Sequence, residues 1–361
     1  MSHYEERLEK DLLRIRSRVA EMGTWVEEGL ANAIRALETG DYKLASSTIL
    51  ADHPINRRMR EIDQLCHAFI AVHLPSAGHL RLLSAVIRVN IALERIGDYA
   101  VTIARVSEQL PSRPEGHMAN ELARISNQAK VMLNQSITAF NDLNPEAARA
   151  TMVMEAEMEF DLESIYAELM ANSEHDKVKN LLAVFIIFTH LKRVADQAKN
   201  LCEETVFAAT GETKAPKVYN ILFLDNDNSF LSQMAEAIAA KSFPGSGNYS
   251  SGGLHPANAL NKAMAEFMEG HGFDLGAAKP KPLDLTPHEL AEKHVIVSLD
   301  GAIKNYFPLV PFHTTGVEWS IDGPQASEGD SLTTEQLETS YRQIASEVHD
   351  LMHILRGEDA P

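Results

Sequence analysis

Apolar residues recur at steps of three and four along the N-terminal part of the chain, a period that predicts amphipathic helices. Leu8, Leu12, Ile15, Val19, Met22, Val26, Leu30, Ala33 and Leu37 form the first stripe, which stops at Gly40 and Asp41. A second stripe over 42–73 carries Ala45 and Ile49, then Ile55, Met59, Ile62, Cys66 and Ile70. Pro54 falls between the two groups and predicts a kink or a restart, because proline removes a backbone donor. A third helix is predicted over 80–107, with Val86, Val89, Leu93, Ile96, Ala100 and Ile103 on its apolar face.

After the turn-rich stretch 111–116 the pattern starts again. Ile125, Ala129, Met132, Leu133, Ile137 and Phe140 mirror the first helix, Asn144 and Pro145 stand where Gly40 and Asp41 stood, and 147–173 mirrors the second. An offset of 103 lays Ala36 and Leu37 on Ala139 and Phe140, and Ile62 on Ile165. In the third helices the offset is 98, so that LERIGDYAVTIA (93–104) lies on LKRVADQAKNLC (191–202). A duplication of this length predicts two three-helix bundles, over 1–110 and 117–210.

The grammar changes near 210–217. An apolar run at 218–224 reads as a strand, followed by a polar turn at 225–229 and a helix from Ser232. A Gly/Ser/Pro loop is expected at 243–255, a helix at 256–270, a second strand at 294–299 and a last helix at 334–355. This alternation predicts an α/β domain over 217–357 with a small parallel sheet. The fold class is therefore multidomain: an all-α half of two repeated bundles, then an α/β domain.

Charge narrows the functions. A formal net charge of −18 argues against a nucleic-acid groove, which needs a clustered basic face. Cys66 and Cys202 are the two cysteines, far apart in sequence, so neither a disulfide framework nor a Cys-rich metal site is supported and a reducing cytoplasm fits. The charged N-terminus does not read as a signal peptide. The most apolar run, 181–189, is about half the ~20 residues of a spanning helix.

Glu94 and Asp98, four apart, share one helix face beside the apolar stripe. Their oxygens can reach a common point, as a hard cation would require, or can form a solvated charged face.

The LERIGDYAVTIA segment and its copy make the first 210 residues resemble the PhoU family of phosphate-uptake regulators. The resemblance implies a cytoplasmic protein acting on the phosphate ABC transporter and its sensor histidine kinase at the membrane periphery. It also implies iron or zinc, with manganese or magnesium as further choices, bound by acidic pairs. Glu94 and Asp98 match the metal pair of the first repeat, and Asp52 and Asn56 match polar positions of its second helix more loosely. In the second repeat Lys192 replaces the glutamate while Asp196 is kept, so an in-built ammonium opposes a metal there. Glu155 and Glu159 could contribute ligands, or belong to a surface acidic run with Glu157 and Asp161.

The C-terminal part resembles the arsenate reductases built on the low-molecular-weight tyrosine phosphatase fold. That family's loop, C-x5-R-S, carries a thiolate nucleophile and an arginine that clamps the oxyanion. Here the loop reads DNDNSFLS (225–232): Asp225 stands for the nucleophile and Leu231 for the arginine, while Asn228, Ser229 and Ser232 keep the polar shell. The positions resembling the reductase's redox cysteines hold Asp300 and Phe307, and Gly323 holds that of the general acid, with Asp322 one residue early. Asp225 and Asp227 are read as a solvated cap at the helix start, the alternative being an Asp-based, Mg²⁺-assisted phosphatase.

Three functions follow. The first is a non-catalytic regulator of phosphate uptake and signalling, with a pseudo-enzyme domain, free of cofactor, for partner or ligand contact. The second is a phosphatase or arsenate reductase-type enzyme using an Asp in the anion loop. The third is a purely structural helical assembly, for instance a homo-oligomer.

Overall fold

The computed structural model describes residues 3–110, 113–171, 178–214, 216–311, 313–322 and 331–357, with the side chains of 156–157, 159–164, 167–171, 178 and 287–288 left aside. The chain forms two compact units, Met1–Lys214 and Ala215–Pro361.

The first unit is helical: α1 (His3–Thr39), α2 (Tyr42–Leu50), α3 (Asp52–Val72), α4 (Ala77–Gln109), α5 (Gly116–Asp142), α6 (Pro145–Ala171) and α7 (Val178–Thr210). Gly40 adopts a left-handed φ of 68° after α1, and the Asp41 side chain then accepts from the Lys43 and Leu44 backbone N–H groups to start α2. The second repeat builds the same corner from Leu143, at a φ of 51°, and Asn144, which caps Glu146 and Ala147. Ser76 closes a capping box with His79, so α4 begins three residues before the predicted start.

Burial confirms the repeat register. Val19, Met22, Gly23, Val26, Leu30 and Ala33 are buried in α1, as are Leu122, Ile125, Ser126, Ala129, Leu133 and Ser136 in α5. Leu93, Ile96, Ala100 and Ile103 of α4 are buried like Leu191, Val194, Ala198 and Leu201 of α7. Ala45 and Thr48 match Ala148 and Thr151 in the same way. α4 and α7 lie along each other, and one continuous core joins the bundles.

One difference separates the repeats. The sequence allowed a break at Pro54, and the chain restarts three residues earlier, at Ala51, whose N–H still bonds to the Ser47 and Thr48 carbonyls. Pro54 thus sits in the first turn of α3, where its missing donor costs nothing. The second repeat has no proline at the matching place, and α6 runs unbroken. Asp52 therefore opens a helix, while its counterpart Glu155 lies inside one.

The second unit is a four-stranded, all-parallel sheet in the order β2-β1-β3-β4. Its elements are β1 (Tyr219–Asp225), α8 (Leu231–Ser242), β2 (Gly247–Gly253), α9 (Lys262–Gly270), α10 (Pro287–Ala291), β3 (Val295–Ser298), β4 (Thr315–Glu318) and α11 (Thr334–Arg356), with a 3-10 turn at Ile303–Asn305. Strand alternation sends Ile221 and Phe223 to one face, under α8 and α11 with Met234, Ile344 and Val348. Leu222 and Leu224 line the other, with Ile296, Leu283 and Tyr306.

Three expectations need correction. The stretch 243–255, expected as loop, contains β2, whose GNYSSGG sequence lacks the β-branched residues that mark strands. Gly253 is required there, since a Cβ would lie 2.8 Å from the Asn228 nitrogen and 2.9 Å from the Asn226 oxygen. The helix expected from 256 starts at Lys262, after the Asn261 cap on Met264. β4, a short polar strand, was not anticipated. Among the described residues no helix is long and apolar enough to cross a membrane.

Candidate functional site

The acidic residues of the first repeat come together at the junction of α3 and α4. Asp98 acts electrostatically on both Asp52 and Glu94, and Asp52 acts on Glu94. Burial raises the pKa of Asp52, with Asp98 next in effect and His53, Asn56 and Arg105 opposing; burial, Asp98 and Asp52 likewise raise that of Glu94, against Arg95. The Asn56 amide donates to Asp52 Oδ2. Asp52 Oδ1 is buried and has no hydrogen-bond partner among the described residues. It faces Gly97, where an added Cβ would lie 3.6 Å from that oxygen and 3.3 Å from Ile55 Cδ1, so the glycine lets α3 and α4 approach closely. A cleft of about 430 Å³ opens beside Asp52, walled by Trp25 and Gly29 of α1, Ala51 at the helix break, and Gly97 and Val101 of α4.

The metal implied by the resemblance can be tested against this arrangement. Among the described residues no group of three or more His, Cys, Asp or Glu side chains is placed to hold a metal ion. Asp52, Glu94 and Asp98 are therefore close enough to act on one another but are not assembled as a set of metal ligands among the described residues.

In the second repeat the carboxylates are matched by lysines. Lys192 Nζ lies 3.1 and 3.3 Å from the Asp196 oxygens, the i, i+4 pair expected from the sequence. Lys199 Nζ lies 2.6 Å from Glu155 Oε2. Glu155, read above as part of a surface run, is half-buried in that ion pair, whereas the Glu159 side chain lies outside the described residues. Spacing within one helix could not reveal the Lys199–Glu155 contact, which joins α7 to α6.

In the α/β unit the loop between β1 and α8 is organised by its own carboxylates. Asp225 is buried, 4 % exposed, which corrects the expectation of a solvated cap. Its Oδ1 accepts from Asn228 N at 2.6 Å and its Oδ2 from Ser232 N at 2.8 Å. Asp227 Oδ1 accepts from Ser229 N at 3.0 Å and from Ser229 Oγ at 2.8 Å. Asp300, from the end of β3, accepts from Asn226 N at 2.7 Å and from the Tyr306 hydroxyl. Four loop amides thus point at carboxylate oxygens of this chain, in the way such amides hold a bound anion.

Asn228 fixes the shape. It is fully buried with a left-handed φ of 53°, its Nδ2 donates to Ser232 Oγ, and its Oδ1 accepts from Gln233 Nε2 and Lys281 N. Leu231, in the place of the arginine, is buried in the core. Asp322 exchanges hydrogen bonds with Gln343 of α11, Oδ2 accepting from Nε2 and its N–H donating to Oε1. Gly323 lies outside the described residues. Burial pushes the Asp225 pKa up to about 6, against the hydrogen bonds from Ser232 and Asn228 that favour the anion. Cys66 and Cys202, buried in the helical unit, are pushed up to about 12 by desolvation and are no substitute for a reactive thiolate.

Residues 19–107 and 122–205 each match the PhoU domain, one per repeat. The phosphate-specific transport system accessory protein PhoU homolog of Synechocystis sp. is 30% identical over 205 residues, spanning 56% of this chain and 92% of that protein. The chain belongs to the PhoU family. The PhoU protein of Escherichia coli is 27% identical over 212 residues, 58% of this chain and 88% of its own. The crystal structure of PhoU from Pseudomonas aeruginosa superposes with a TM-score of 0.55 at 27% identity, covering 56% of this chain and 99% of that one. Each of these three likenesses covers a little over half of this chain, 56 to 58%. Residues 220–355 match a second family, the low molecular weight phosphotyrosine protein phosphatases, so the chain joins a PhoU half to an α/β half of that type.

Proposed function

We propose that the protein regulates phosphate uptake and phosphate signalling by contact rather than by turnover. Its helical half acts on the phosphate ABC transporter and its sensor histidine kinase from the cytoplasmic side of the membrane. Its α/β half is a pseudo-enzyme domain that serves partner or ligand contact, its anion loop occupied by the chain's own carboxylates. The observation that carries the reading is the likeness of the helical unit to nearly the whole length of accessory proteins of phosphate-specific transport.

The loop geometry supports the second half of the proposal. A thiolate or carboxylate nucleophile must be free to attack in line, with donors left for the substrate's oxygens. Asp225 has both oxygens engaged, and the amides that could cradle a phosphate are bonded to Asp225, Asp227 and Asp300. Leu231 offers no guanidinium to replace the bidentate clamp.

Affinity isolation of the full chain from solubilised membranes tests the first half: transporter and kinase are expected to co-purify, and recovery of neither at high or low phosphate refutes it. Assays with p-nitrophenyl phosphate, and with arsenate plus a dithiol reductant, test the second. No turnover above background is expected; turnover that disappears in Asp225→Asn would establish the enzyme reading instead.

A further inference from the structure

The cleft of about 430 Å³ at the α2–α3 break has apolar walls from Trp25, Pro54, Ile55 and Val101, and its room comes from Gly29 and Ala51. Gly29 lies inside α1, where a glycine weakens the helix relative to alanine. Nothing in the backbone calls for it, since its φ is not left-handed. Nor does packing, since an added Cβ would meet no atom within 4 Å beyond its own stretch of helix. The glycine therefore serves the open space in front of it.

The two repeats share a burial register, so the second shows what that space holds when it is filled from within. Laying α5 on α1 and α6 on α3 at the offset of 103 places Met132 on Gly29, Met154 on Ala51 and Met158 on Ile55. Met132 and Met158 are buried in the shared core, and Met154 packs against it half-buried. The second bundle thus carries, as part of its own chain, the flexible thioethers that the first omits. Methionine suits an irregular space because it is unbranched, and its sulfur packs well on an aromatic ring, which Trp25 offers here. Both charged residues that line the cleft, Glu28 and Asp52, are acidic, so a basic neighbour to the incoming side chain is favoured over an acidic one.

We propose that the cleft of the first bundle receives a methionine side chain from a partner protein, presented on a segment with a lysine or arginine beside it. The incoming side chain takes the part that Met132 and Met154 play in the second bundle, with its sulfur against Trp25. The inference rests on the internal repeat and on Gly29, and it stands whether or not the protein regulates phosphate uptake.

Ligand-observed NMR of the full chain with three capped dipeptides tests it: acetyl-Met-Lys-amide, acetyl-Gly-Lys-amide and acetyl-Met-Glu-amide. Saturable binding of the first is expected, with the second about tenfold weaker for want of the buried side chain. The third should bind less tightly than the first. Gly29→Ala, which adds a single methyl group, should leave the affinity within about twofold and raise the melting temperature. Gly29→Met, which restores the side chain of the second bundle, should abolish binding. Ala51→Met, at the exposed end of α2, should weaken it and provides the same test should Gly29→Met fail to fold. Absence of acetyl-Met-Lys-amide binding, equal binding of acetyl-Gly-Lys-amide, or binding that both methionine substitutions leave unchanged overturns the proposal. So does a preference for acetyl-Met-Glu-amide.

Discussion

Asp225 of the α/β unit and Asp52 of the first bundle both stand beside the start of a helix, where a carboxylate is favoured by the N-terminal end of the dipole. Asp225 has each oxygen bonded to a backbone N–H, whereas Asp52 has one oxygen taken by Asn56 and the other buried without a hydrogen-bond partner among the described residues. Burial raises both pKa values, so desolvation alone does not tell a finished site from an open one. The difference is in the partners: Asp225 is held by two amides of its own loop, and Asp52 by one side-chain amide of its own helix.

The largest test removes the finished site. Asp225→Ala deprives two buried N–H groups of their acceptor and is expected to cost the α/β unit roughly 2–5 kcal/mol at pH 5. Trp319, buried against Phe223, reports that unit in a Trp25→Phe background during urea unfolding. The same carboxyl makes the unit sensitive to pH. Its folded pKa of about 6 lies above the ordinary 3.8, so the folded state holds the proton more tightly. The resulting stability is fully present below about pH 4 and is lost as pH rises through 6, a fall of about 3 kcal/mol. Urea midpoints for Trp319 between pH 4 and 7.5 should show this fall, and Asp225→Asn should flatten it. The loss in Asp225→Ala should accordingly shrink at pH 7.5.

In the helical unit the expected effects are smaller. Lys199→Met strips Glu155 of its ammonium and is expected to lower stability by about 1 kcal/mol, as a partly buried pair warrants. Leu143→Gly, which gives the second repeat the left-handed glycine that the first has at Gly40, is expected to raise it by about 1 kcal/mol. Asp52→Asn should change the melting free energy by no more than about 0.5 kcal/mol, because relief of repulsion from Asp98 offsets loss of charge at the start of α3. A destabilisation as large as that of Asp225→Ala would mean that Asp52 is a structural residue like the other, and the contrast would disappear.

The sequence carried the helical half well, because period and duplication are properties of neighbours along the chain. The stripes, the corner at Gly40 and Asp41, and the Lys192–Asp196 pair could all be read from spacing. What escaped depended on chain segments brought together by folding. β2 is a strand because β1 pairs with it, in spite of a glycine-rich sequence, and Asp225 is buried because loop and helix close over a carboxylate that spacing alone would leave in water. The Lys199–Glu155 bond spans two helices, and the cleft beside Asp52 is walled by residues of α1, α2, α3 and α4.

Gly253 has a bearing on how this α/β unit can drift over time. Because a methyl group there would strike the backbone of residues 226–228, the path of that loop and the glycine at the end of β2 must change together. A descendant that shows alanine at 253 should therefore also carry a rebuilt backbone turn at 226–228.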